Sequence, residues 1–185
     1  MKANRFCYMV LETRLGWLGL LASTKGLRRV VLPQAAPEAV LEELGDFLPQ
    51  ACQSEEVFGD LPHRLRQYFE GKRVEFPARL DLTEATLFQK RVWEKARSIP
   101  YGETRSYAWV AREIGQPHAF RAVGQALRRN PLPIIIPCHR VLGRDGQLVG
   151  FGGREGLELK KKLLQLEGCW PPSPLSRSAL SWRNR

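Results

Sequence analysis

Residues 134–140, Ile-Ile-Ile-Pro-Cys-His-Arg, set a thiol, an imidazole and a guanidinium in consecutive positions behind an apolar run. The three isoleucines belong in a core. Pro137 ends the run, because it fixes φ and lacks a backbone donor, so Cys138, His139 and Arg140 emerge where the buried segment stops. An imidazole and a guanidinium beside a thiol both favour the thiolate, which is the nucleophile. A lone cysteine here would read as a small buried hydrophobe. The triplet behind a proline points instead to nucleophilic chemistry. Glu167 is the other residue whose placement asks for a partner, since it lies in the last turn of a predicted helix, against the negative end of the dipole.

The elements that position these groups divide the chain into predicted domains at 1–80 and 81–170, with a tail at 171–185. Strand-like runs at 5–11, 17–22 and 26–32 are punctuated by Gly16, Gly19 and Gly26, and Pro33 is expected to close the third. Helices are predicted over 37–48 and 61–69, and residues 73–82 read as an extended connector. The second domain opens with Thr86-x-x-Gln89, a capping box, ahead of a helix with Phe88, Val92, Trp93 and Ala96 on its buried face. Helices over 106–113 and 118–129 flank a turn at Gly115-Gln116-Pro117, a helix-turn-helix candidate whose second helix would face DNA. That helix carries the small residues Ala119, Ala122, Gly124 and Ala126 beside Arg121, Arg128 and Arg129. Close approach to DNA and tight packing in a core both explain such content. The last helix, 156–167, should turn Leu157, Leu163, Leu164 and Leu166 inward and Lys160, Lys161 and Lys162 to solvent, with Gly168 as its cap.

The chain has 185 residues and a net charge of +10. Residues 1–80 carry 11 basic and 10 acidic side chains, residues 81–170 carry 15 and 9, and the tail adds three arginines and no acid. The excess thus falls in the half that holds Cys138, which suits a polyanion such as nucleic acid. Cys7, Cys52, Cys138 and Cys169 form neither a disulfide framework nor a zinc-ligand spacing, so no metal is expected. No stretch has the length of a membrane span or the pattern of a secretory signal, which makes the cytoplasm the default location. The tail, with Pro171, Pro172 and Pro174 among serines and arginines, reads as disordered.

Ile99-Pro-Tyr-Gly-Glu-Thr104, Ser106-Tyr107, Arg121-Ala-Val-Gly124, Asn130-Pro131 and Pro133-Ile-Ile-Ile-Pro-Cys-His-Arg-Val141 together resemble the O6-alkylguanine-DNA alkyltransferase family, over about residues 83–168. The resemblance implies an α+β protein. A small N-terminal α/β domain of ribonuclease-H-like shape would precede a mainly helical, winged-helix-like domain with the helix-turn-helix. It implies that Cys138 takes the alkyl group from guanine O6, and from O4 of alkylthymine, in one displacement. His139 would deprotonate Cys138 through a bridging water and Glu167 would orient His139, the usual logic of an activated nucleophile. Asn130 corresponds to the family's hinge between recognition helix and active-site segment. The target base must be flipped out of the duplex. Tyr101 would contact that base and protonate it, while Arg121 would enter the stack from the minor groove. Ser106, Tyr107, Ala122, Gly124 and Arg128 complete the expected DNA surface. Val141, Phe151, Gly152, Gly153 and Arg140 are the expected pocket.

The segment Phe151-Gly-Gly-Arg-Glu-Gly156 departs from the family pattern. It is one residue longer and lacks a serine, which predicts a roomier pocket that favours bulkier alkyl groups. With no second group in the sequence to remove the alkyl, single turnover is expected, without cofactor, by a monomer on double-stranded DNA. Three other readings compete. A non-catalytic alkyltransferase-like lesion-binding protein would lack the cysteine; a thiol hydrolase would need a peptide pocket; a transcription regulator would need side chains that read base edges, which the small-residue helix has few of.

Overall fold

The computed structural model describes residues 5–150 and 153–171. It is an α+β structure of two compact units, one holding Met1–Thr83 and Pro131–Ile135, the other Glu84–Asn130 and Ile136–Arg185. The arginine-bearing tail from Pro172 onward, Phe151 and Gly152 lie outside the described residues. Among those described, no helix is long and apolar enough to cross a membrane.

In the first unit, β1 (Phe6–Thr13) and β2 (Gly16–Ser23) form a hairpin in continuous register from Phe6↔Ser23 to Thr13↔Gly16. Strand β3 (Gly26–Gln34) runs antiparallel to β2, and β4 (Ala51–Gln53) parallel to β1, giving the order β3-β2-β1-β4. Pro33 does not close β3, which continues to Gln34; an edge strand tolerates the missing donor. Helix α1 (Pro37–Leu44) is shorter than predicted, because Gly45 turns the chain at φ 27° and Gly45–Gln50 continues as a 3₁₀ turn. It lies on the sheet over Gly19, where a Cβ would stand 2.5 Å from Val40 Cγ1. Val40 and Leu44 there meet Leu21 and Val31 in a buried cluster. Helix α2 (Leu61–Phe69) matches its predicted span and packs against β1, burying Leu65, Tyr68 and Phe69.

The connector contains no helix, and Leu80 bridges to Leu27. Asp81 fastens it. Its carboxylate accepts from Ser23 Oγ at 2.6 Å, Thr83 Oγ1 at 2.6 Å and Arg28 Nη1 at 3.2 Å. Burial alone would raise the acid; these bonds outweigh it and hold Asp81 well below the usual carboxylate range.

In the second unit, α3 (Leu87–Arg97) begins with the predicted capping box: Gln89 N–H donates to Thr86 Oγ1 at 3.2 Å and Thr86 N–H to Gln89 Oε1 at 2.9 Å. It packs with α4 (Tyr107–Glu113) and α5 (Phe120–Arg128), and Trp93 Nε1 donates to the Ala126 carbonyl at 2.8 Å. Gly115, at φ 75°, makes the turn between α4 and α5. Helix α5 starts later than predicted, because Pro117 and His118 still belong to the turn. It buries Val123, Ala126 and Leu127 and exposes Arg121, Ala122, Arg128 and the large apolar Phe120. Strands β5 (Arg105–Ser106) and β6 (Val141–Leu142) pair in parallel. Helix α6 (Gly153–Leu166) begins ahead of its predicted start, and Gly168, at φ 70°, closes it.

The isoleucine run is buried, but it is not a strand. Ile134 adopts φ 75°, a left-handed conformation costly for a β-branched residue, and the turn it makes prevents an extended segment.

Candidate active site

Cys138–Arg140 form one 3₁₀ turn behind Pro137, and all three residues are buried. Cys138 N–H donates to the Ile136 carbonyl at 2.7 Å. Asn130 Nδ2 donates both to that carbonyl, at 2.9 Å, and to Cys138 Sγ, at 3.2 Å. One amide therefore couples the backbone entry to the sulfur itself. This gives Asn130 a direct hold on the thiol as well as its place behind α5. Burial raises the Cys138 pKa, while the Asn130 hydrogen bond and the charge of Lys160 pull the other way.

Behind Cys138 lies a buried charge network. His139 is wholly inaccessible, and its Nε2 lies 2.8 Å from Glu167 Oε1. Glu167 also accepts from Arg140 through both oxygens, Nε to Oε2 at 2.8 Å and Nη2 to Oε1 at 3.0 Å. The Gly102 N–H adds a third donor at 3.3 Å. Burial would raise Glu167, but hydrogen bonds and charge from His139 and Arg140 reverse this and lower it to about 2. Glu167 is therefore an anion. An anion only accepts, so Nε2 carries the His139 proton and the proton-accepting role falls to Nδ1. Burial also lowers the His139 pKa, against the pull of Glu167, which keeps the imidazole neutral and able to act as a base.

Arg140 does not line a substrate pocket as expected. Besides Glu167, its Nη1 donates to the Ile99 carbonyl at 2.6 Å, so its fork is committed to structure. The cation whose charge bears on the Cys138 pKa is Lys160, one of the three lysines expected to face solvent. Lys160 is 1% exposed, donates to the carbonyls of Val141 at 2.6 Å and Val149 at 3.0 Å, and lies 5.8 Å from the Tyr107 ring centre. Burial lowers it to about 8, with the Cys138 charge opposing. The signal was in the sequence: Lys160 shares the helical spacing of Leu157, Leu163 and Leu164, and only the habit of reading lysine as surface hid it.

Tyr101 stands over the Arg140 guanidinium, 5.9 Å from ring centre to Cζ, and its hydroxyl donates to the Leu166 carbonyl at 3.0 Å. Burial, then the Glu167 charge, raises its pKa, so it keeps a proton to give. Ser106 and Tyr107 are not placed as free phosphate contacts. Ser106 is buried and caps α4 by accepting the Trp109 N–H at 3.0 Å. Tyr107 donates to the Val149 carbonyl at 3.1 Å, and burial, with the Cys138 charge, raises it to about 12. Its ring faces Gly124, where an added Cβ would touch it at 3.7 Å. Val141 is buried one residue past the turn, and Gly153 is the first residue of α6. Arg121, Ala122 and Arg128 are exposed along α5.

A buried thiol with a base, an orienting acid and a cation, carried in a unit with a helix-turn-helix, defines a class: a cysteine-dependent protein acting on nucleic acid. Comparison with known proteins narrows it. Residues 87–169 match the family model described as 6-O-methylguanine DNA methyltransferase, DNA binding domain, and residues 6–82 match its ribonuclease-like domain. The chain is 39% identical over 161 residues to a methylated-DNA–protein-cysteine methyltransferase of Methanosarcina acetivorans, covering 87% of this chain and 97% of that one. It is 53% identical over 111 residues to the Mycobacterium leprae protein of the same name, covering 60% and 66%. The crystal structure of the Mycobacterium tuberculosis O6-methylguanine methyltransferase superposes with a TM-score of 0.72 at 38% identity, covering 92% of this chain and 98% of that one. The structure of that organism's protein in complex with DNA gives the same score. The chain belongs to the 6-O-methylguanine DNA methyltransferase family.

Proposed function

We propose that this chain repairs DNA by direct reversal, moving the alkyl group of O6-alkylguanine, or of O4-alkylthymine, irreversibly to Cys138. The observation that carries this reading is the buried Cys138 thiol, held at 3.2 Å by Asn130 and backed by the His139–Glu167 pair at 2.8 Å. A lesion-binding relative without chemistry would have no use for that assembly.

His139 takes the Cys138 proton through a bridging water, and Glu167 holds the imidazole in the tautomer that leaves Nδ1 as base. Lys160 offsets the thiolate charge in a site too buried to solvate it. Sγ attacks the alkyl carbon, an S–C bond forms as the C–O6 bond breaks, and the electron pair leaves with guanine. Tyr101 releases the Leu166 carbonyl and protonates the departing base. Asn130 keeps Sγ aimed throughout. The product is a thioether, which no group placed here among the described residues hydrolyses, so each chain acts once; we take it to act as a monomer and without cofactor.

The base reaches Cys138 by flipping, with Arg121 in the vacated stack. Ala122 lets the α5 backbone approach the minor groove, Gly124 seats the helix against the Tyr107 ring, and Arg128 pairs with phosphate. Val141, buried just past the Cys138 turn, borders the base. Ser106 and Tyr107 act from within: Ser106 fixes α4, and Tyr107 walls the pocket beside Lys160.

The decisive test is intact mass after incubation with duplex DNA bearing O6-methylguanine. One methyl per chain, mapped to Cys138 and absent in Cys138→Ala, is expected. Repeated turnover, or methyl on another residue, would overturn the reading.

A further inference from the structure

The first unit contains a pair of thiols that the repair chemistry leaves unused. Cys7 in β1 and Cys52 in β4 are direct register partners on adjacent parallel strands, and their sulfurs lie 3.0 Å apart. Both residues are half-buried, within reach of small solutes. Adjacent strands sit about 4.7–4.9 Å apart, inside the Cα separation that a disulfide spans. Closing the sulfurs to a covalent S–S bond of about 2.05 Å needs a movement of only about 1 Å. Strand β4 is an edge strand joined to β1 by three register pairs, Phe6↔Ala51, Cys7↔Cys52 and Tyr8↔Gln53, so it has room to make that movement. The thiol pair is the middle one of the three.

We infer that Cys7 and Cys52 form a reversible disulfide by exchange with low-molecular-weight disulfides, a modification site independent of Cys138. Hydrogen bonding to Cys52, then burial, raises Cys7 to about 11, so Cys7 keeps its proton and acts second. The Cys52 thiolate attacks one sulfur of the small disulfide and expels one small thiolate. Cys7 then attacks Cys52 Sγ and expels the other. One S–S bond breaks in the reagent and one forms in the protein, and the two cysteine protons end on the two expelled thiolates. The bond closes a loop of more than forty residues, including β2, β3 and α1, and pins the edge strand that carries Cys52. Oxidation at this pair therefore stabilises the sheet and leaves the alkyl acceptor reduced.

The full-length chain is incubated with oxidised glutathione, quenched in acid and mapped by peptide mass without reduction. The expected product is a Cys7–Cys52 linked peptide, with two of the four thiols lost, recovered by dithiothreitol, and one alkyl group per chain still transferred to Cys138. The exchange rate should rise with pH, and the oxidised form should melt several degrees above the reduced one. Cys7→Ser should instead hold a lasting glutathione adduct on Cys52. Glutathione left on wild-type Cys52 without the link, linkage to Cys138 or Cys169, or unchanged thiols would each overturn the inference. Alkyl transfer is read separately, so loss of one property does not imply loss of the other.

Discussion

Among the described residues each unit buries one carboxylate among hydrogen-bond donors, and the two use it differently. Asp81 is surrounded by Ser23, Thr83 and Arg28, groups that stay as they are near neutral pH. Its bonds close a connector onto a sheet. Glu167 is surrounded by Arg140, a backbone N–H and one imidazole, His139. Replacing a hydroxyl partner by an imidazole turns a structural lock into what is, in the proposed reaction, part of a proton relay. What separates the two is the partner that can change its protonation, since burial and anionic charge are common to both.

The sharpest way to break this comparison is to neutralise each acid in turn. Glu167→Gln removes the charge that fixes the His139 tautomer, and the rate of alkyl transfer from duplex DNA should fall by about 10²–10³-fold. Asp81→Asn should leave that rate within about twofold while costing about 1–3 kcal/mol in urea unfolding, from the imperfectly paired amide. Equal rate losses in both variants would remove the distinction. Both variants need a folded control by circular dichroism, because Glu167→Gln also leaves Arg140 under-paired.

Lys160 sharpens the same contrast from the cationic side. Lys160→Met keeps the volume of the side chain and removes the charge beside Cys138. Transfer at neutral pH should drop about tenfold, and the rising limb of the rate–pH profile should move to higher pH, because the thiolate loses its compensating charge. A drop with an unshifted profile would assign Lys160 to packing alone. Arg121→Ala should slow repair in duplex DNA by about tenfold and leave reaction with free O6-benzylguanine nearly unchanged. Equal losses on both substrates would remove its part in flipping.

Much of this was legible in the sequence, and the failures have physical causes. The capping box at Thr86 and Gln89, the span of α2, the turn at Gly115 and the Gly168 cap each rest on local chemistry that tertiary structure did not override. Strand β4 was invisible because three residues give no alternation to read. The isoleucine run lies in the core, as its composition implied, and Ile134 turns it with a φ that only the surrounding fold can impose. At the site, Asn130 meets Cys138 and Glu167 meets His139, pairs separated in sequence whose roles only the resemblance implied. Arg140 and Lys160 exchanged roles because sequence adjacency to Cys138 says nothing about which way a long side chain points. Ser106 and Tyr107 were assigned outward for the same reason.

The smallest effect is the most direct measure of the buried network. Glu167 has a folded pKa of about 2, below its unfolded value, so its contribution to stability is complete above about pH 5 and is lost as pH falls toward 2. His139 is depressed as well, and the unfolded chain gains its proton below about pH 6.5 while the folded chain resists. The two act in the same direction. Urea unfolding between pH 7 and pH 4 should therefore show stability falling by about 1–2 kcal/mol in the wild-type chain, first through His139 and then through Glu167. In Glu167→Gln the lower part of that fall should disappear and the His139 part should grow, since the imidazole loses the anion that opposed its depression. A wild-type chain whose stability instead rises as pH falls just below 7 would mean that His139 is protonated in the folded chain at neutral pH, and that it cannot then be the base that takes the Cys138 proton.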